Sequence, residues 1–150
     1  MKNLIFDLDG TIANLYGIVN WLEKLRASDV SPYEQAEPLC DMVALRNTLL
    51  ALDDVRIVVV SWGSMGASQE YMRQIRKAKI EWLHRWKFPF DEVHIVKYGT
   101  DKYSTIRYKH EESYLFDDNE QIRTAFEKRE LCHAYSEKQI FEVLGELCGG

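Results

Sequence analysis

Short apolar runs alternate with longer amphipathic segments along almost the whole chain, and this alternation constrains the fold more than any other feature. Repeated βα units of that kind build a parallel sheet covered by helices. The runs predict five strands, at Asn3–Asp7, Val55–Ser61, Glu92–Val96, Ser113–Phe116 and Glu130–Ala134. Apolar spacing predicts helices over Asn14–Arg26, with Leu15, Ile18, Val19, Leu22 and Leu25 on one face, and over Leu39–Leu52, Gln69–Trp86, Asp101–Tyr108 and Asn119–Lys128. In the longest, Met72, Ile75, Trp82, Leu83 and Trp86 lie near one stripe and read as core. Ala27–Pro38, with Ser28, Asp29, Ser31, Pro32 and Pro38, reads as a loop, and Gly63–Ser68 as a mobile connection. A last helix opens at Ser136-Glu137-Lys138-Gln139, a capping-box pattern.

The chemistry gathers where strands end. Leu4-Ile5-Phe6-Asp7-Leu8-Asp9-Gly10-Thr11 sets two carboxylates two residues apart after an apolar strand. Gly10 permits a sharp turn, and Thr11 offers a hydroxyl and an N–H to an anion. One carboxylate can attack phosphorus while the other moves a proton. The bland alternative, an Asp-Gly turn after a strand, is common, but the ordered string Asp-x-Asp-Gly-Thr is much rarer. Further on, Arg56-Ile57-Val58-Val59-Val60-Ser61 is an apolar strand ending in a hydroxyl, followed by Trp62-Gly63-Ser64, and Tyr114-Leu115-Phe116-Asp117-Asp118 ends in paired acids. Ligands of parallel α/β sheets sit beyond the carboxyl ends of the strands, which is where all these residues fall.

From Lys2 to about Ala134 the chain resembles the haloacid dehalogenase superfamily of phosphohydrolases, in four motifs taken in order: the Asp7-x-Asp9 string, the strand ending at Ser61, a lysine, and Asp117-Asp118. The resemblance implies an α/β fold, a Rossmann-like three-layer sandwich with a parallel five-stranded sheet in the order 5-4-1-2-3 and a small helical cap inserted at about residues 14–40 of a single 150-residue domain. It also implies roles. Asp7 is the nucleophile that forms an aspartyl-phosphate. Asp9 protonates the leaving alcohol and later deprotonates water. Ser61 hydrogen-bonds a transferring phosphoryl oxygen, and Lys102 offsets the charge of Asp7 and the phosphate. Mg2+ is the implied cofactor, held by Asp7, the backbone of Asp9, and one or both of Asp117 and Asp118. The expected substrate-binding residues are Thr11, Ser61, Trp62 and Gly63. Lys97, at a strand end, competes with Lys102, which is preferred because it opens a helix ahead of the acidic pair.

Composition narrows the partners. The net charge of −5 and pI near 5.4 disfavour a grip on long nucleic acid, so a small phosphorylated substrate is expected. No apolar run approaches a membrane span of roughly 20 residues. The start shows no signal-peptide pattern, so the expected location is the cytoplasm. Cys40, Cys132 and Cys148 show neither disulfide nor metal-site spacing and read as reduced, mostly buried thiols.

Other residues carry bland readings. Asp117-Asp118-Asn119 also suits a helix N-cap. Lys77, Lys79 and Lys87 read as solvated, and His84, His94, His110 and His133 as structural or exposed. Tyr16, Trp21, Tyr33 and Trp62 suit either packing or stacking against a nucleobase or sugar. The small cap, the Asp-Asp motif and the lysine leading a short helix look most like the 5'(3')-deoxyribonucleotidase branch of bacteria and phages. The expected activity is thus a magnesium-dependent phosphomonoesterase acting on nucleoside monophosphates or another small phosphate ester. Two alternatives stand beside it. One is a nucleic-acid 3'-phosphatase using a basic face of Arg73, Arg76, Lys77 and Lys79, and the other is a non-catalytic nucleotide-binding protein on the same scaffold.

Overall fold

The computed structural model describes residues 1–149. Strand β1 (Lys2–Phe6) lies mid-sheet between β2 (Val55–Trp62) and β4 (Ser113–Phe116), with β3 (Glu92–Val96) and β5 (Cys132–Tyr135) at the edges. All four pairings are parallel, and the order β3-β2-β1-β4-β5 is the expected 5-4-1-2-3 read from the opposite edge. A central parallel strand is covered on both faces, which requires apolar residues throughout. Leu4, Ile5 and Phe6 accordingly expose 1% or less of their surface.

Successive side chains of a strand point to opposite faces, so the sheet feeds two cores. On one side Leu4, Phe6 and Phe116 pack with Leu45 and Leu49 of α3 (Met42–Leu50), Trp82 and Leu83 of α4 (Gln69–Arg85), and Ile140 and Leu144 of α6 (Ile140–Gly149). On the other, Ile5, Val58 and Leu115 meet Phe126 of α5 (Glu120–Glu127). The architecture is the expected three-layer, Rossmann-like α/β sandwich.

The insert between β1 and β2 differs from the sequence reading. The helix expected over residues 14–26 is split into a 3-10 turn at Leu15–Gly17 and α1 (Trp21–Arg26). Asn20 takes a left-handed conformation with φ of 58°, which a short polar side chain tolerates and which no continuous helix accommodates. Within the segment read as loop, α2 (Ser31–Gln35) forms instead. Asp29 accepts from the Ser31 N–H at 2.8 Å, Pro32 sits in the first turn where its missing N–H costs nothing, and Tyr33 packs against Tyr71 and Ile75 of α4. Tertiary packing overrides a loop-like composition here.

Other boundaries shift. The helix expected over 101–108 is only a 3-10 turn at Lys102–Thr105, and β5 starts late because Leu131 is left-handed. Of the α4 stripe, Ile75, Trp82 and Leu83 are buried, whereas Met72 and Trp86 are half-buried. The Ser136–Gln139 capping box forms as expected. All three cysteines are free, but only Cys132 is buried, which corrects the reading of mostly buried thiols. Among the described residues, no helix is long and apolar enough to cross a membrane.

Candidate functional site

Four loops leaving the C-terminal ends of β1, β2, β3 and β4 meet over one cavity of about 370 Å³, whose lining includes Asp7, Asp9, Trp62, Lys102, Asp117 and Asp118. The loop after β1 turns at Gly10, where φ is +80° and an added Cβ would strike the Asp118 carboxylate. Only glycine serves at that point. The Leu8 carbonyl accepts from the N–H groups of Thr11, Ile12 and Ala13, curling the loop so that Asp7 and Asp9 both face the cavity.

Lys102 is the lysine that reaches the acids. Its Nζ donates to Asp7 Oδ1 at 2.8 Å and Asp117 Oδ2 at 2.7 Å, and it is 4% exposed. Lys97 is exposed and lines a neighbouring groove, so of these two lysines Lys102 is the one that bonds the acids. Burial pulls the Lys102 ammonium toward neutrality, but Asp7 and Asp117 outweigh it and hold its pKa above the ordinary lysine value.

Asp117 and Asp118 separate in environment. Asp117 is 1% exposed, with Oδ2 on Lys102 and Oδ1 accepting the Asn119 N–H at 2.9 Å. Asp118 is half-buried and near the Thr11 hydroxyl, at 3.3 Å. The capping role is taken by Asn119, whose Oδ1 accepts from the N–H groups of Gln121 and Ile122, so both aspartates are released from it. Burial, then the neighbouring Asp7, pushes Asp117 up to about 6; burial and Asp7 likewise push Asp118 up to about 7. Burial also raises Asp9, with Asp7 adding to it and Lys79 opposing.

Asp7, Asp117 and Asp118 offer carboxylate oxygens that all lie within 4.8 Å of one another. Hard oxygen donors at that spacing suit a divalent cation such as magnesium, calcium or manganese. Four carboxylates, counting Asp9, face only two ammonium groups, Lys79 and Lys102, so the site carries negative charge that a cation would neutralise.

The expected substrate-binding residues are placed unequally. Ser61 is buried at the end of β2. The Trp62 ring lies 4.9 Å from Tyr98, with its Nε1 donating to the Thr100 carbonyl. Gly63 lines the cavity, but its N–H donates to the Val96 carbonyl, and an added Cβ would strike Met72. Thr11 is 1% exposed; its hydroxyl donates to Asp7 Oδ2 at 3.0 Å and its N–H to the Leu8 carbonyl. It braces the acids instead of facing the cavity.

Sequence reasoning missed Lys79. Read as solvated, and as part of a basic face, it is 1% exposed on α4, and its Nζ donates to Asp9 Oδ2 at 2.8 Å, Ser61 Oγ at 2.7 Å and the Trp62 carbonyl at 2.7 Å. A signal existed: Lys79 stands four residues from both Ile75 and Leu83, on the buried stripe. The basic face is correspondingly reduced.

Among the insert's aromatics, Tyr16 is 49% exposed and meets Trp21 edge-on at 4.8 Å, both lining the cavity. Tyr33 is buried, with its hydroxyl 2.6 Å from Ser64 Oγ. No protein-family model matches the chain, and no curated protein is detectably similar to it.

Proposed function

We propose that this chain is a magnesium-dependent phosphomonoesterase that works through an aspartyl-phosphate on Asp7, with nucleoside monophosphates as the substrate class. The observation that carries the reading is the convergence of Asp7, Asp9, Lys102 and Asp117-Asp118 from separate strand ends on one cavity. In this reading Asp7 attacks phosphorus as the ester oxygen departs, and Asp9 gives that oxygen its proton. Water then attacks the aspartyl-phosphate, with Asp9 taking its proton back. Lys102 aims Asp7 through its bond to Oδ1, and Ser61, outside the cavity lining, holds the Lys79 ammonium. Magnesium bound by Asp7, Asp118 and the adjoining backbone would supply charge neutralisation between carboxylate and phosphate. The cavity lies within the usual size range of small-ligand sites, roughly 300–1,000 Å³. Tyr16, Trp21, Trp62 and Tyr98 supply aromatic faces at its mouth, which favours a planar base over a bare sugar. The inserted segment carrying α1 and α2 acts as the cap.

A specific feature favours a second substrate class. A groove lined by Arg73, Arg76 and Lys97 shares Ser64, Met65 and Tyr98 with the cavity, and cations there would suit the backbone of a 3'-phosphorylated strand. Phosphate release decides, measured with and without magnesium from ribo- and deoxyribonucleoside monophosphates, sugar phosphates and a 3'-phosphorylated oligonucleotide, beside Asp7→Asn. Magnesium-dependent turnover of a mononucleotide, lost in Asp7→Asn, is the expected outcome. Preference for the oligonucleotide would move the assignment to end repair. Tight binding without turnover would replace the enzyme by a nucleotide-binding protein.

A further inference from the structure

Lys79 is the second buried ammonium of the site, and the reaction outlined above gives it no task. It is not part of the cavity wall, so substrate does not reach it. All three of its N–H donors are filled, two by the end of β2, at Ser61 Oγ and the Trp62 carbonyl, and the third by Asp9 Oδ2. The Tyr33 ring covers the ammonium at 4.8 Å. Burying an ammonium is costly unless every donor is satisfied, and here the satisfied geometry makes a rigid strut. It runs from the end of β2 to a carboxylate on the curled loop after β1.

We infer that Lys79 is a positioning residue for Asp9: by occupying Oδ2 it fixes the carboxyl plane and leaves Oδ1 as the oxygen that delivers the proton to the leaving group. The inference rests on the phosphatase reading. In the first step a bond forms from the Asp7 oxygen to phosphorus, the ester P–O bond breaks, and the Asp9 proton passes from Oδ1 to the departing alkoxide. Asp9 is then a carboxylate held by Lys79, ready to accept a proton from the attacking water. Lys79 changes neither charge nor bonding in the cycle; it acts through geometry alone, where misplacement of a group by about an ångström is costly. The pairing also separates the two lysines. Lys102 serves the nucleophile, and Lys79 serves the proton donor.

The experiment compares Lys79→Met with wild type, in magnesium, on two esters: a nucleoside 5'-monophosphate, whose alkoxide leaving group needs a proton, and p-nitrophenyl phosphate, whose phenolate departs without one. The expected loss in kcat/KM, which reports only the steps up to departure of the leaving group, is on the order of 10²-fold for the nucleotide, the scale of a well-placed general acid, and within about threefold for the aryl ester. Equal losses on both esters, or no loss on either, would overturn the inference, because a merely structural lysine does not distinguish leaving groups. Lys79→Met leaves the Asp9 carboxylate without its ammonium partner, so the same comparison is made in Asp9→Asn, which removes that charge. There Lys79→Met is expected to cost less than about threefold further on the nucleotide, since coupled residues are non-additive. A further loss near 10²-fold in that background would equally overturn the assignment. Wild type that turns over neither ester sinks the phosphatase reading itself, and this inference with it.

Discussion

At the N-terminal end of the sheet, Arg56 on β2 lies against Asn3 Oδ1 at 2.7 Å and Glu111 Oε2 at 2.8 Å, with Glu92 at 3.8 Å and its guanidinium 3.8 Å from the Tyr108 ring centroid. At the C-terminal end, four aspartates share two lysines around an open cavity. Both ends hold partly dehydrated charge, on the same strands, some five residues apart. The first is closed and matched: a planar guanidinium stacks on a ring and bonds its acids directly. The second is over-supplied with negative charge, and Asp117 and Asp118 are held above ordinary carboxylate values by burial and by Asp7. Of these two ends, the one with unmatched charge faces a cavity and is the candidate site.

The comparison breaks most sharply at Asp7. Asp7→Asn is expected to lower kcat on the order of 10⁴-fold or more, as losing a nucleophile does, while the thermal midpoint in metal-free buffer stays the same or rises. Arg56→Met should do the reverse. It takes the guanidinium from Glu111 and leaves Glu92 with His94 and Arg107, so the midpoint should fall by several degrees with kcat unchanged; a change in kcat beyond about twofold would erase the distinction between the ends.

A smaller effect comes from pH. Carboxyls whose folded-state pKa is raised bind protons more tightly folded than unfolded, so stability is greatest at low pH and is lost as pH rises. The window runs from an unfolded value of about 4 to the folded values near 6 for Asp117 and 7 for Asp118. The metal-free protein should therefore melt several degrees lower at pH 8 than at pH 5, and saturating magnesium should remove the difference. A shallower profile in Asp118→Asn without metal, with only the Asp117 part of the window left, would sharpen the assignment; an unchanged slope would remove Asp118 from it. The smallest effect is expected at Trp21→Ala, which takes away an aromatic face of the cavity without a hydrogen bond. Initial rates should show KM for a nucleotide rising about tenfold, the scale of one stacking contact, with KM for a sugar phosphate nearly constant.

The insert and the sheet show how far local information reaches. Strand positions were legible because a doubly covered parallel strand must be apolar along its length, and β3 and β4 fall at the expected residues. The formation of α2 was not, since it depends on α4 packing underneath, and neither was the left-handed turn at Asn20 that splits the first helix. Asp7 and Asp9 could be read together because two residues of chain join them. Likewise Asp117 and Asp118 are neighbours in the sequence, and Ser61 ends an unmistakable strand.

What the sequence by itself determined, then, is the alternation that makes the sheet and the acids that end its strands, because both are set by neighbours along the chain. Only the tertiary structure decided the cations. Lys97 and Lys102 are locally alike, yet one is exposed and the other bonds Asp7 and Asp117 across the sheet. Lys79 reads as one lysine among several on a charged helix until α4 folds onto β2 and turns it inward against Asp9. An ammonium's role depends on which carboxylates surround it in space, and that is fixed by the packing of elements distant in sequence.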